Sequence, residues 1–429
     1  PVARSLIHRY RFPEQEHAVR GKADDPDTGK SVSVYDVGSA HVDLKRGATS
    51  KAPHPRSLMA PGPVDTTPQE QTVLAIARSV VHHGLDSDVD GLASARALLL
   101  RRTPCAGLRA GEPLLAPDED PVAGVVRIAL GLSRAVLSVQ GPPGSGKTYA
   151  AAETIVALIS AGRRVGVTAN SHQVIVNLLE RALARAAQQG LPIAAHHLQE
   201  EDKEEKGADA AAPRAFTRGK DYAAVLAGLK GGALSLVGGT AFAWSRPEYR
   251  DAVDVLIIDE AAQVALANAI ADSTAAPSLI LFGDPAQLEQ PQRGVHPPGA
   301  GVSALEYLIG EEARTMPAER GVFLPKTRRL HPSVCDFTSS VFYEGRLEPT
   351  LDLSRQHLGS VSPFPAHGLC VVPVQHRGNT NRSDEELAAV SAIVDRLSEA
   401  GARFQPVRGD ERALERRDLL VVGPGHPGR

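Results

Sequence analysis

Apolar residues in the middle of the chain fall into short unbroken runs, and the stretches between them have a helical period. Ala135–Gln140, Val165–Ala169, Leu234–Val237, Val255–Ile258 and Leu279–Phe282 are such runs. Each is short enough for a strand and apolar on both faces, as strands of a covered parallel sheet must be. Between them, Tyr149–Ala161 places Ile155, Leu158 and Ile159 on one side and meets a stop at Gly162. Another helical stretch follows Ala169 and runs through Ala187. Strands that alternate with helices predict an α/β fold: a parallel sheet with helices on both faces.

The flanks read differently. Residues 30–46 alternate apolar and polar positions about a Gly-Ser turn and predict a hairpin in a small β module. Residues 50–68, rich in Pro and Ser, read as a linker. Thr67–Arg102 has a helical pattern with Val73, Ile76, Ala77 and Val80 on one face. The charge run Gln199–Lys206 reads as a solvated insertion. A second α/β block is expected to start near Val322. In it, Ser383-Asp-Glu-Glu386 caps a helix to about Ala400, and Asp418–Gly423 forms a last strand. The expected division is 1–50 small β module, 51–117 linker and helical segment, 118–316 first α/β domain and 317–429 a partial second one. The missing initiator Met and the final strand without a following helix lead to the expectation that this is a piece of a longer protein.

Composition narrows the class. Hydrophobic content is 42% and charged content 23%, ordinary for a globular protein, and no apolar run reaches the roughly 18 residues of a membrane span. No signal-peptide pattern opens the chain. Cys105, Cys335 and Cys370 form no CxxC pair, so a disulfide framework is excluded and a reducing cytoplasm is expected. The net charge of −3 confines any nucleic-acid surface to a local groove. Only 10 of the 47 basic Lys and Arg residues are lysine. With abundant Ala, Gly and Pro, that bias suggests a GC-rich bacterial source.

One of those rare lysines, Lys147, is the only one between Lys51 and Lys203. It sits in Gly141-Pro142-Pro143-Gly144-Ser145-Gly146-Lys147-Thr148, followed by Tyr149. The pattern GxxxxGK[ST] between strand and helix makes a phosphate cradle. Glycines let backbone N–H groups turn inward, and the helix N-terminus adds positive potential. Lys147 would reach the β- and γ-phosphates and Thr148 would ligate Mg²⁺. Downstream, Val255–Ile258 runs into Asp259 and Glu260. Ligand sites lie at strand C-termini in such sheets, so Asp259 would hold Mg²⁺ and Glu260 would orient or deprotonate the attacking water. In Gly283-Asp284-Pro285-Ala286-Gln287-Leu288, Gln287 could hydrogen-bond the γ-phosphate or its water. Asp284 reads equally as a functional group or as a turn residue.

Five segments in order resemble the superfamily 1 helicases of the 1B branch. This branch includes the nonsense-mediated-decay helicase and the replication nuclease-helicases. The segments are the phosphate loop, Thr168-Ala-Asn-Ser-His172, the strand with Asp259-Glu-Ala-Ala-Gln263, Gly283-Asp-Pro-Ala-Gln-Leu-Glu-Gln290, and Thr327-Arg-Arg329-Leu-His-Pro332 with Val341–Leu347. A sixth is Asn381-Arg-Ser-Asp384. The resemblance implies two RecA-like domains, the second incomplete here, and ATP with Mg²⁺ as cofactors. It also implies 5′-to-3′ movement on single-stranded DNA, or RNA. It assigns Arg329 to the γ-phosphate from the second domain, and Ser171, His172 and Thr240 to the nucleic-acid backbone. Trp244, the sole tryptophan, is either a base-stacking or a core indole.

The stretch from Tyr10 with the hairpin is similar to bacterial fusion proteins with a RecB-like nuclease ahead of the helicase. A DNA-repair role and a nuclease partner are the corresponding expectations. Three departures stand against the pattern. Pro121–Val126 lacks the adenine-reading glutamine, the order Thr-Ala-Asn-Ser-His replaces Pro-Ser-Asn, and the last two family motifs are missing. The alternative reading is a non-unwinding, nucleotide-dependent nucleic-acid-binding module.

Overall fold

In a computed structural model, the protein is described over residues 5–423 except 16, 18, 61–65, 88–90, 103, 105–110, 200–214, 288–298, 300, 360–362, 380–382 and 400. Cys105, the charge run beyond Gln199, Leu288–Gln290, and Asn381 with Arg382 therefore lie outside the described residues.

Two compact units divide the chain, one of which contains Pro1–Asp65 and the other Thr66–Val374. In the first, β1 (Ser5–Arg11), β2 (Lys22–Asp25), β3 (Lys30–Gly38) and β4 (His41–Gly47) form an antiparallel sheet in the order β1-β4-β3-β2. The expected hairpin is β3–β4, bulged between Val34 and Asp36. The sheet buries Ala23 of β2 with Val42 and Leu44 of β4, and Arg9 clamps Asp43 with two hydrogen bonds of 2.7 Å.

In the second unit, the expected long helix is two: α1 (Thr67–His83) and α2 (Ala93–Leu99). Gly84, at φ 83°, ends α1. The buried face carries Thr72 and Ile76, with Val80 half-buried, whereas Ala77 is exposed. Thr72 fits this face because its hydroxyl donates to the Ser245 carbonyl at 2.6 Å.

After α3 (Pro121–Gly131) the alternation begins: β5 (Val136–Gln140), α4 (Lys147–Ser160), β6 (Val165–Thr168), α5 (His172–Gln188), β7 (Ala195–Leu198) and β8 (Thr217–Gly219). It continues with α6 (Tyr222–Lys230), β9 (Leu236–Gly238), α7 (Ala241–Trp244), β10 (Val255–Ile258), α8 (Leu266–Asp272), β11 (Ser278–Gly283), α9 (Ala304–Ile309) and β12 (Gly321–Phe323). The eight strands form one parallel sheet in the order β12-β5-β11-β10-β6-β9-β7-β8. This is the parallel sheet expected from the alternation, and the RecA-like fold that the resemblance implied.

The sheet is buried on both faces, which explains the unbroken apolar runs. Leu256, Ile258, Leu279 and Leu281 feed one core, and Val255, Ile257, Ile280 and Phe282 feed the other. Trp244 is fully buried, and its indole N–H points at the carbonyls of Val167 (3.1 Å) and Gly239 (3.0 Å). It is the core indole of the two readings.

Val322, expected to open a second block, lies instead in β12, the edge strand of the main sheet beside β5. Beyond it, β13 (Lys326–Thr327) pairs in parallel with β14 (Glu348–Pro349), and α10 (Pro332–Phe342) lies between them in sequence. The helix α11 (Asp384–Glu399) starts at Ser383, whose hydroxyl accepts from the Glu386 N–H as the capping box requires. The strand expected at Asp418–Gly423 does not form. Arg416–Asp418 is a 3₁₀ turn, and Leu420 and Val422 are 87% and 80% exposed with no strand alongside among the described residues.

Candidate active site

The loop from Gly141 to Gly146 joins β5 to α4 at the C-terminal edge of the sheet. Gly144 and Gly146 have φ of 76° and 92°, a region open to glycine at little cost. The Gly141 N–H is anchored on the Gly283 carbonyl at 2.9 Å. Lys147 folds back over Gly141, where a Cβ would stand 2.1 Å from the lysine Cγ, and its Nζ donates to the Gly141 carbonyl at 2.8 Å. Ser145 Oγ is buried with no hydrogen-bond partner among the described residues. A buried hydroxyl without a partner is costly, and a phosphate oxygen in the cradle would satisfy it.

Next to β5 in the sheet is β11, and next to that is β10, which delivers the two acids. Asp259 is 3% exposed and accepts from the Glu260 N–H at 3.0 Å. Burial, and then the charge of Glu260, push its carboxyl up to about 6, while Lys147 pulls it the other way. A buried acid held at this level gains from a cation beside it. Glu260 takes a left-handed conformation, φ 51° and ψ 42°, unusual for a residue with a side chain.

After β11, Asp284 is 1% exposed and collects four donors: Tyr343 Oη (2.7 Å) and Gln287 Nε2 (2.8 Å), with Gln140 Nε2 and the Ala286 N–H both at 3.4 Å. It is thus more than a turn residue. Burial, and then Asp284, raise the Tyr343 hydroxyl well above the usual phenol range.

Arg329 arrives by a route that differs from the expected one. It lies just beyond β12 and β13, in the same compact unit as the phosphate loop. Thr327 Oγ1 donates to the Pro143 carbonyl at 2.7 Å, and the Arg328 N–H donates to the Gly144 carbonyl at 2.9 Å. The fit is tight: a Cβ on Gly144 would stand 2.4 Å from Arg329 Cβ and 2.8 Å from Thr327 Oγ1. The strand that continues from the main sheet therefore sets the arginine on the loop.

A cavity of about 400 Å³ over the loop is lined by Lys147, Thr148, Glu260, Gln287 and Arg329, with the half-exposed Tyr149 beside them. Arg181 and Arg328 also line it, and neither is among the site residues expected from the sequence. Four cationic side chains against one carboxylate suit a polyanion such as a triphosphate.

Residues 123–296 match the family model described as an AAA domain. No curated protein matches the chain. Similar solved structures include Arterivirus nonstructural protein 10, a helicase, in complex with DNA: 12% identity, TM-score 0.37, covering 80% of this chain and 58% of that one. The same helicase solved in another structure gives 13%, TM-score 0.36, 81% and 58%. The PRRSV helicase gives 11%, TM-score 0.30, 81% and 51%. The chain thus spans less than two thirds of the length of each.

The match to that family model ends at residue 296, ahead of Thr327–Arg329, so the cavity is lined by matched residues and by a later segment. Phosphate loop, acids, glutamine and arginine come together. Ser171, His172 and Thr240 do not reach this cavity. They follow the neighbouring strands β6 and β9 along the same edge of the sheet. Ser171 caps α5 by accepting from the Val174 N–H at 3.3 Å, and His172 Nδ1 lies 3.0 Å from His197 Nε2. Thr240 is half-buried at the start of α7. Among the described residues, no helix is long and apolar enough to cross a membrane.

Proposed function

We propose that this chain is an ATP-dependent nucleic-acid translocase or helicase that hydrolyses ATP with Mg²⁺ on single-stranded DNA, with RNA as a second polymer. One observation carries the reading: Lys147, Glu260, Gln287 and Arg329 open on one cavity at the phosphate loop. The loop N–H groups and Ser145 would bind phosphate oxygens, and Lys147, Arg328 and Arg329 would neutralise their charge. Thr148 and Asp259 would hold Mg²⁺, which adds charge neutralisation at the phosphates when bound. Glu260 accepts a proton from water that Gln287 helps to orient. Tyr149 borders the same space and is available to the base.

The polymer, the 5′-to-3′ direction, the contacts of Ser171, His172 and Thr240, and a role in DNA repair beside a nuclease rest on the helicase resemblance of the ordered segments. So does a partial second RecA-like domain, expected over 317–429, whose first residues belong instead to the main sheet through β12. The deciding experiment is steady-state phosphate release with and without single-stranded DNA and RNA. Turnover should be stimulated by one polymer and lost in Lys147→Ala. Equal turnover in Lys147→Ala and the parent would overturn the reading.

A further inference from the structure

Gln287 is held by a buried hydrogen-bond chain that starts well outside the loop it belongs to. Asp284 Oδ2 accepts both from Gln287 Nε2 at 2.8 Å and from Tyr343 Oη at 2.7 Å. Tyr343 stands 59 residues along the chain, at the C-terminal end of α10, and is 2% exposed. Its ring leans on Phe323 of β12, centroids 6.2 Å apart. The other oxygen of Asp284 faces Gln140 Nε2 at 3.4 Å, while Gln140 Oε1 accepts from the Met316 N–H at 2.6 Å. A carboxylate only accepts, so its partner on Gln287 must be the amide NH₂. That commits one N–H of Gln287 to Asp284 and turns Oε1 away from it. Gln287 also lines the cavity with Glu260.

We propose that Tyr343 is a positioning residue: through Asp284 it fixes the amide of Gln287 so that Oε1 faces the water-activating side of the cavity beside Glu260. This deepens the hydrolytic reading above and rests on it. The geometry also ties two parts of the site together. Arg329 lies just before α10 and Tyr343 just after it. One rigid helix therefore connects the arginine on the phosphate loop to the orientation of the glutamine. Without the phenol hydroxyl, Asp284 Oδ2 keeps only Gln287 as a donor, and the carboxylate is held otherwise only by the two 3.4 Å contacts of Oδ1, so the pair is loosened.

The test is Tyr343→Phe, which keeps the ring against Phe323 and removes one oxygen. The expected result is a fall in kcat of about tenfold, less than the roughly 10²–10⁴-fold of a whole general-base contribution because the glutamine is loosened and not removed. KM for ATP should be unchanged within about twofold, since nothing that binds phosphate is altered. In a Gln287→Ala background, the same substitution should cost nothing further, because the group it positions is gone. A merely structural tyrosine would lower both backgrounds equally, and that additivity overturns the proposal. A second readout needs no turnover. The side-chain amide NMR signal of Gln287, identified by its loss in Gln287→Ala, should shift and lose exchange protection in Tyr343→Phe. An unchanged signal overturns the relay even if the parent chain proves inactive, whereas inactivity of the parent with a shifted signal counts against the hydrolytic reading alone.

Discussion

Gly144→Ala puts the placement of Arg329 to a direct test. Two costs arise at this position. A side chain at φ 76° is strained by about 1–2 kcal/mol. The new Cβ would also stand 2.4 Å from Arg329 Cβ and 3.0 Å from the Arg329 backbone nitrogen. Neither atom is the far end of a flexible chain, so the segment itself must move, at a typical overpacking cost of about 1–3 kcal/mol. Gly162→Ala is the control: φ is 78° but nothing lies within 4 Å, so only the strain applies. The stability loss at Gly144 should therefore exceed that at Gly162 by about 1–3 kcal/mol, or several degrees in Tm.

Turnover should separate the two variants more sharply. Moving an arginine off developing phosphate charge is worth on the order of 10²–10³ in kcat, and Gly162→Ala should be near the parent. Thr327→Val separates the arginine segment from the loop. It leaves every loop glycine in place and removes only the bond to the Pro143 carbonyl. About tenfold of the kcat loss should reappear, since the cost of an unmade buried hydrogen bond, about 1–3 kcal/mol, loosens the docking. The assays are thermal unfolding and phosphate release under saturating ATP. Gly144→Ala matching Gly162→Ala in both would refute the docking of Arg329 on the loop.

Arg329→Ala should lower kcat by about 10²-fold or more with a smaller effect on nucleotide affinity, read by phosphate release and by fluorescent-nucleotide titration. Asp272, at the end of α8, is fully buried with neither carboxylate oxygen hydrogen-bonded among the described residues, and burial raises its pKa well above the ordinary value. A raised carboxyl contributes stability below its unfolded pKa of about 3.9 and loses it as pH rises toward the folded pKa, so the advantage of Asp272→Asn should grow by roughly 1.4 kcal/mol per pH unit above about pH 4. Urea midpoints at pH 5 and pH 8 check this, and a constant difference between the two proteins would rule it out. Trp244→Phe removes the N–H that serves Val167 and Gly239. It should cost about 1–3 kcal/mol of stability while leaving single-strand affinity intact; weaker binding at unchanged stability would restore the stacking role.

What could be read in advance, and what could not, follows from how local each signal is. A parallel strand buried on both faces must be a continuous apolar run, so Val255–Ile258 and Leu279–Phe282 announced themselves. The phosphate loop is equally local, because its glycines, lysine and hydroxyl act within one turn. Asp284 was undecidable because its main partner is Tyr343, and no periodicity links positions 59 residues apart. Arg181 and Arg328 reach the cavity only because α5 and β13 fold toward it.

The delivery of Arg329 shows the same limit in reverse. The helicase resemblance pointed to the residue from a second domain, whereas it lines the cavity from the same compact unit as the phosphate loop. The edge strand beside β5 is only Gly321–Phe323, too short for its apolar run to tell the last strand of one sheet from the first of another. Yet that strand's pairing with β5, the strand carrying the phosphate loop, decides the matter. Two neighbours in one sheet cannot separate without breaking it. An arginine held just past β12 is therefore preset against the loop, and any nucleotide-driven movement has to be sought in segments beyond β14.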